Sequence, residues 1–157
     1  MKRTFATAVL AAVAVAIAAA VGASGESAHT AGTTVMRIDY RTTGLKVVDA
    51  APKGDSPGDF GVVSGKLFAH GGSKRIGSYQ GICHTMTPKS KSECTFTFAL
   101  AGGQITVISA YGKGFNGSKV VHDAIVGGTH TYRNARGEGI GVETSDTSGT
   151  ETIHLIR

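Results

Sequence analysis

The segment Cys94–Leu100 constrains the fold more than any other part of this chain, because its residues alternate strictly in character. Apolar side chains occupy the even-numbered positions, and threonine or alanine occupies the odd-numbered positions. A repeat of two residues is the side-chain period of a β-strand that buries one face. The chain therefore contains at least one amphipathic strand.

Similar short segments recur along the chain and divide most of it into strands. The further candidates are Thr34–Tyr40, Leu45–Ala50, Phe60–Ala69, Arg75–His84, Gln104–Tyr111, Val120–Val126, Gly137–Thr144 and Thr150–Arg157. No segment beyond the N-terminal 23 residues has a helical apolar stripe, and the chain contains 23 glycines that suit frequent turns. Eight or nine short strands indicate a barrel or a sandwich, and the short sequential connections favour an up-and-down barrel. We predict an all-β, eight-stranded antiparallel up-and-down barrel.

The two cysteines, Cys83 and Cys94, test this prediction. A hairpin of the strands that carry them, centred between Pro88 and Lys89, places the two residues directly opposite each other. Directly opposed residues of an antiparallel ladder have Cβ atoms within disulfide range. We expect one disulfide across this hairpin, and a free thiol at a functional site is the alternative.

Residues 1–23 have the features of a secretory signal peptide. Two basic residues precede an uncharged run of alanine and valine that ends in small residues. Such a run could remain as a membrane anchor, but its position and its small-residue end favour cleavage. We expect a flexible mature N-terminus over 24–33 and a single β-barrel domain over 34–157. The expected location is extracellular or periplasmic, with no membrane contact after cleavage.

Charge and motifs argue against several classes of function. Without the two basic residues of the signal, 14 basic and 11 acidic residues leave a net charge of +3. The lysines are scattered and form no basic stripe with aromatic residues, so nucleic-acid binding is not predicted. The six histidines lack metal-ligand spacing, and the sequence has no Gly-x-Ser-x-Gly elbow. We predict no metal site and no cofactor.

Three residues are candidates for contact with a ligand, and each has a structural alternative. Asp39 lies on the first strand and is either a carboxylate at a barrel mouth or a solvent-facing group paired with a neighbour. Tyr111 ends a strand, where its ring could line a cavity or pack at a rim. Arg133 follows a double-glycine turn and could bind an anionic or carbonyl-bearing ligand. It could instead pair with Glu138 and Asp123.

The region around Arg133 resembles a family signature. Residues 124–137 resemble the dirigent-protein motif, in which Gly-Gly-Thr precedes an aromatic-Arg-x-Ala-Arg-Gly run, and Ile76–Gly81 is similar to that family's Gly-x-x-Gln-Gly strand. Dirigent proteins share the allene oxide cyclase barrel. The resemblance implies a barrel that encloses a mainly apolar cavity and binds a small hydrophobic or phenolic molecule. It also implies that the barrel steers cyclisation or coupling, as a cyclase-type isomerase or by stereocontrol without covalent catalysis.

The resemblance also suggests roles for single residues. Tyr111 matches a tyrosine of the cyclase cavity and Arg133 matches the first arginine of the dirigent motif, so both are expected to bind the ligand. With Asp39 as a possible acid or base, they form the predicted catalytic set.

Gly65 stands where the cyclases have an asparagine, His130 replaces a motif glycine, and Cys83, which matches a cysteine of the cyclase cavity, is expected in the disulfide. The lost asparagine and the engaged cysteine favour the alternative of a non-enzymatic extracellular binding or interaction protein. The barrel could also form a homodimer or homotrimer, as relatives do.

Overall fold

Alternating side chains and short turns produce eight consecutive strands in the computed structural model, which describes residues 32–87, 91–111 and 119–156. A single 3₁₀ turn, η1 (His130–Tyr132), lies between the sixth and seventh strands. The strands are β1 (Thr33–Val48), β2 (Phe60–Ala69), β3 (Arg75–Thr87), β4 (Lys91–Leu100), β5 (Gly103–Tyr111), β6 (Val120–Gly128), β7 (Arg136–Ser145) and β8 (Ser148–Ile156).

Each strand pairs antiparallel with the next one in sequence, and β8 pairs with β1 to close the barrel. The predicted eight-stranded up-and-down barrel is therefore confirmed. None of the described residues forms a helix long and apolar enough to cross a membrane. The predicted signal peptide and the centre of the β3–β4 hairpin lie outside the described residues.

Nine predicted strand segments became eight strands because β1 contains a bulge. The pairing of β1 with β2 shifts in register between Thr42 and Gly44. A bulge inserts one extra residue into a strand and reverses which residues face inward. The predicted segments Thr34–Tyr40 and Leu45–Ala50 therefore belong to one strand, in which both Thr42 and Leu45 reach the barrel interior.

The predicted disulfide is confirmed. Cys83 of β3 and Cys94 of β4 are directly opposed in the ladder, and their sulfur atoms are bonded. Both side chains are buried. The disulfide therefore joins two neighbouring strands inside the barrel wall.

Apolar side chains fill one end of the barrel, which we call the closed end. This end is formed by the β2–β3 and β4–β5 turns and by η1. Six of its inward-facing side chains are fully buried: Ile38, Leu67, Ile105, Val107, Ile153 and Leu155. The opposite end, which we call the mouth, includes the β7–β8 turn and the β1–β2 connection. Packing at the closed end leaves the space between its core and the mouth for a cavity.

Candidate functional site

A cavity of about 110 Å³ lies between the closed end and the mouth. Inward-facing residues of all eight strands line it, because each strand directs alternate side chains to the interior. The lining residues include five aromatic side chains and four acidic side chains: Tyr40, Tyr79, Phe96, Phe98 and Tyr111, with Asp123, Glu143, Asp146 and Glu151. The cavity is therefore aromatic with an acidic component.

Tyr79 is the centre of the aromatic part of the cavity. Its ring makes an edge contact with Tyr40 at a centroid distance of 5.9 Å, and similar contacts with Phe96 and Phe98 at 6.4 Å. Its hydroxyl is 2.6 Å from Oγ1 of Thr42. Edge contacts of this kind favour fixed relative positions of the rings. The ring of Tyr79 is therefore held in place by three ring contacts and one hydrogen bond.

Gly65 makes this position of Tyr79 available. A Cβ atom at Gly65 would collide with the Tyr79 ring and with the carbonyl oxygen of Arg41. In this chain a tyrosine ring therefore occupies the space beside position 65. The absence of a side chain at Gly65 permits the observed position of the Tyr79 ring.

The acidic component is centred on a buried pair of carboxyl groups. Asp123 of β6 is 6% exposed and Glu151 of β8 is 4% exposed. The strand between them, β7, presents Gly139 beside Asp123 and Gly141 beside Glu151. A Cβ atom at Gly139 would collide with Oε1 of Glu151, and one at Gly141 would lie 2.9 Å from Oε2. The two glycines therefore provide the space in which the carboxyl groups of β6 and β8 approach each other.

The environment of this pair favours its protonated forms. Burial raises the pKa of Glu151 to about 9, and the neighbouring Asp123 adds to this increase. Burial also raises the pKa of Asp123, although a hydrogen bond donated by the Ser109 hydroxyl opposes the increase. At neutral pH the pair therefore retains a proton, chiefly on Glu151. Such a pair can donate a proton to a bound molecule and accept one from it.

The tyrosine hydroxyls near the carboxyl pair stay protonated. Burial raises the pKa of Tyr40 and of Tyr111, and the negative charges of Glu143 and Asp123 increase both values further. Burial likewise raises the pKa of Glu143, with a smaller contribution from Asp146. The two phenols are therefore available to donate hydrogen bonds to a ligand.

The structure separates the three residues that the sequence predicted as a catalytic set. Tyr111 lines the cavity at the end of β5. Asp39 faces outward and accepts hydrogen bonds from His70 Nδ1 (2.8 Å), the Gly71 amide (2.8 Å) and Thr150 Oγ1 (2.9 Å). The bond from His70 is the main reason why the pKa of Asp39 is lowered.

Arg133 also lies away from the cavity. It follows η1 at the closed end, where its side chain is exposed. Tyr111, in contrast, lies near the mouth. Of the three predicted residues, only Tyr111 is among the described residues that line the cavity.

The carboxyl pair was not recognised as a site from the sequence. Asp123 shares a strand face with Val121 and Ile125, and Glu151 shares one with Ile153. An acidic residue at an inward position of an apolar strand face is unusual, because burial of a charge is costly. The sequence therefore contains a signal for the pair, although it predicts for Asp123 only a pairing with an arginine.

Comparisons with known proteins place the fold. No protein-family model matches the chain, and no curated protein matches it. A pyocyanin demethylase structure is similar, with a TM-score of 0.66 and 24% identity over 77% of this chain and 99% of that one. A pterocarpan synthase dirigent protein has a TM-score of 0.60 and 20% identity, over 80% of this chain and 94% of that one.

A third similar structure is an exo-specific intermolecular Diels–Alderase. Its TM-score is 0.63 at 15% identity, and the match covers 80% of this chain and 99% of that one. At these identities the similarity concerns the fold. The chain therefore has the barrel fold of the dirigent proteins and the cyclase barrels, which its sequence resemblance predicted.

Proposed function

We propose that this barrel binds one small hydrophobic or phenolic molecule in its cavity and steers the cyclisation or coupling of that molecule. The observation that carries the proposal is the buried Asp123–Glu151 pair, which faces an aromatic cavity close to the mouth. Structures with the same fold include a dirigent protein and a Diels–Alderase, whose names describe reactions of this kind.

The size of the cavity limits the part of the ligand that enters it. An apolar cavity of ~150 Å³ in another protein binds benzene, and this cavity measures about 110 Å³. One ring therefore fills the described space, and the rest of the molecule extends through the mouth. A molecule held in this way retains few conformers, and confinement of a reactive conformer lowers the entropic part of the barrier.

The polar groups of the cavity supply the chemistry. In the proposed reaction Glu151 transfers its proton to an oxygen of the ligand, and the phenol of Tyr111 donates a hydrogen bond to the same region. The resulting carboxylate then recovers a proton from the cyclised product, so that the pair returns to its original state. Asp39 and Arg133 lie outside the cavity wall, and their predicted role remains a prediction for the same assay.

Export of the protein is a separate part of the proposal. A disulfide persists in an oxidising compartment, and Cys83 and Cys94 are bonded. We expect the chain to be exported to the periplasm or the medium after cleavage near residue 23. The N-terminal sequence of the protein recovered from the culture medium or the periplasmic fraction tests this expectation, and recovery of the uncleaved chain in the membrane fraction would contradict it.

Saturation binding with a panel of phenols and fatty-acid epoxides tests the main proposal. We expect saturable binding of at least one compound, and a loss of about fivefold in affinity for Tyr111→Phe, since one hydrogen bond contributes about 1 kcal/mol. The affinities of Asp39→Asn and Arg133→Ala in the same assay show whether the two residues outside the cavity contribute to binding. Failure of every compound to bind would overturn the proposal, and binding without any product would favour the non-enzymatic alternative.

A further inference from the structure

The cavity has an unusual balance of charge. Its described lining contains four carboxyl groups and no lysine, arginine or histidine. The chain as a whole, in contrast, has more basic than acidic residues. The carboxyl groups belong to β6, β8, β7 and the β7–β8 turn: Asp123, Glu151, Glu143 and Asp146. The interior therefore has the sign opposite to that of the chain.

The aromatic residues of β3 and β4 face this acidic side. Tyr79 lies on β3 and Phe96 lies on β4, which are on the opposite side of the closed barrel from β7 and β8. A flat ring that enters the cavity therefore has aromatic side chains on one side and carboxyl groups on the other. Aromatic faces and carboxylates both attract positive charge, and both effects increase where water is excluded.

One atom in this arrangement has an unmet hydrogen-bonding capacity. Oε1 of Glu151 is buried, and apart from the proton that Glu151 shares with the neighbouring Asp123 carboxyl group, no described residue offers it a hydrogen bond. A buried carboxyl oxygen without a donor is costly, and native proteins rarely retain one without a reason. The Glu151 side chain belongs to the cavity wall. A ligand that offers a positive charge or an N–H group would satisfy this oxygen.

We propose that the ring bound in this cavity carries a positive charge or a basic nitrogen, so that the preferred ligands are small planar nitrogen heterocycles in cationic form. This inference rests on the proposed function, because it concerns the same cavity, and it narrows the class of ligand. Anionic ligands such as fatty-acid carboxylates are disfavoured, since they would meet four acidic groups.

Proton release gives this inference a second readout. A bound cation stabilises the ionised form of Glu151, so binding lowers the pKa of this group from its value of about 9 in the free protein. Binding between neutral pH and pH 9 then releases a proton, and affinity rises with pH over this range. The titratable groups near Glu151 on the other elements are Asp123, Glu143, Asp146, Tyr40 and Tyr111, and His122 is adjacent to Asp123.

The test uses three probes with the same two-ring frame and different charge: N-methylquinolinium, 2-naphthol and 2-naphthoate. Their affinities are measured by calorimetry at pH 7.5 for the wild type, for Glu151→Gln and for Glu138→Gln. Glu138 is a matched control, because it lies on β7 with its side chain exposed. We expect the wild type to bind the cation at least tenfold more tightly than the phenol. Glu151→Gln should reduce this preference at least fivefold, and Glu138→Gln should leave it unchanged.

The outcomes separate this inference from the proposed function. If 2-naphthol binds as tightly as the cation, the inference is overturned and the proposed function stands. If no probe binds, the inference is overturned, and the panel of phenols and fatty-acid epoxides decides the proposed function separately. An equal loss in the two glutamate variants would show nonspecific attraction and would also overturn the inference. Should Glu151→Gln fail to fold, calorimetry of the wild type in two buffers of different ionisation enthalpy measures proton release, and its absence would be decisive against the inference.

Discussion

Glu151 carries a cost in stability that depends on pH. The folded protein holds its proton up to about pH 9, whereas the unfolded chain releases it above the ordinary value of 4.5. Between these two pH values only the folded state binds this proton, so proton binding stabilises the folded state. This stabilisation is complete below pH 4.5 and is lost as pH rises toward 9. The cost of burying this carboxyl group is therefore greatest at alkaline pH.

Glu151→Gln should remove this pH dependence, because the amide has a similar shape and does not ionise. We expect the variant to be more stable than the wild type by at least about 2 kcal/mol at pH 8 and equally stable at pH 4. Urea unfolding at the two pH values measures the difference. A constant difference between the two proteins from pH 4 to pH 8 would contradict the pKa assigned to Glu151.

Ser109 stabilises the other member of the pair. Its hydroxyl is fully buried and donates to the Asp123 carboxyl group. Ser109→Ala removes this donor from the Asp123 carboxyl group, so we expect a loss of about 1.5–3 kcal/mol in the free energy of unfolding at pH 7. The loss should be smaller at acidic pH, where Asp123 is protonated. Denaturant unfolding at pH 7 and pH 4 provides the comparison, and an identical loss at both would show that the bond is not charge-assisted.

The sequence was less informative for these residues than for the strands that carry them. Alternation places Asp123 and Glu151 on inward faces, but it does not show that they meet. Their proximity depends on the register of two strands that are separated by β7 and by its glycines. Asp39, in contrast, lies between the inward-facing Ile38 and Tyr40 in sequence, so local alternation alone places it on the outward face. Local periodicity predicts which face a side chain occupies, and only the closed sheet determines its neighbours.

At the scale of the strand, the glycines of β7 leave space for a side chain of the neighbouring strand. Gly141 lies beside the carboxyl group of Glu151, and a Cβ atom there would be 2.9 Å from Oε2. Gly141→Ala should displace this flexible side chain into the cavity, at small cost in stability. We expect a loss of about tenfold or more in ligand affinity, equivalent to about 1.4 kcal/mol.

Gly127→Ala is the matched control for this strand prediction. A Cβ atom at Gly127 of β6 meets no atom within 4 Å. The control variant should retain the wild-type affinity in the same titration. Equal affinities for the two alanine variants would show that the glycine at position 141 is not required for the position of the carboxyl group.

The β3–β4 hairpin was the element that the sequence predicted most completely. Its alternating apolar face and its two cysteines pointed to the same register, and the structure has Cys83 opposite Cys94. Agreement between independent local signals makes a pairing easy to predict. The bulge in β1 gave no such signal, which explains why one strand was predicted as two segments.

Removal of the disulfide should destabilise the barrel chiefly through the unfolded chain. The bond closes a short loop, with a sequence separation of 11 residues. For the double variant Cys83→Ala/Cys94→Ala we expect a loss of about 3 kcal/mol in the free energy of unfolding. Reduction of the wild type should produce a similar loss and should leave the double variant unaffected. Resistance of the wild type to reductant in the unfolded state would contradict this account.

At the scale of the whole molecule, the two ends of the barrel have different roles. Successive connections alternate between the ends. The apolar core lies at the closed end, and the cavity opens at the mouth. The resemblance predicted a mainly apolar cavity in such a barrel; the structure adds four carboxyl groups to its aromatic wall, which the resemblance did not predict. Composition does not reveal this concentration of acidic residues, because they come from three strands and one turn.

This division predicts that stability and binding can be altered separately. Ile105 is fully buried at the closed end and is not among the cavity residues. Ile105→Ala should lower the free energy of unfolding by about 2–5 kcal/mol, because it leaves a void in the packed core. The affinity of the folded variant for a cavity ligand should stay within about twofold of the wild type at a temperature well below its melting point. A comparable loss of affinity would show that the closed-end core positions the cavity walls, and the two ends would then have to be treated as one unit.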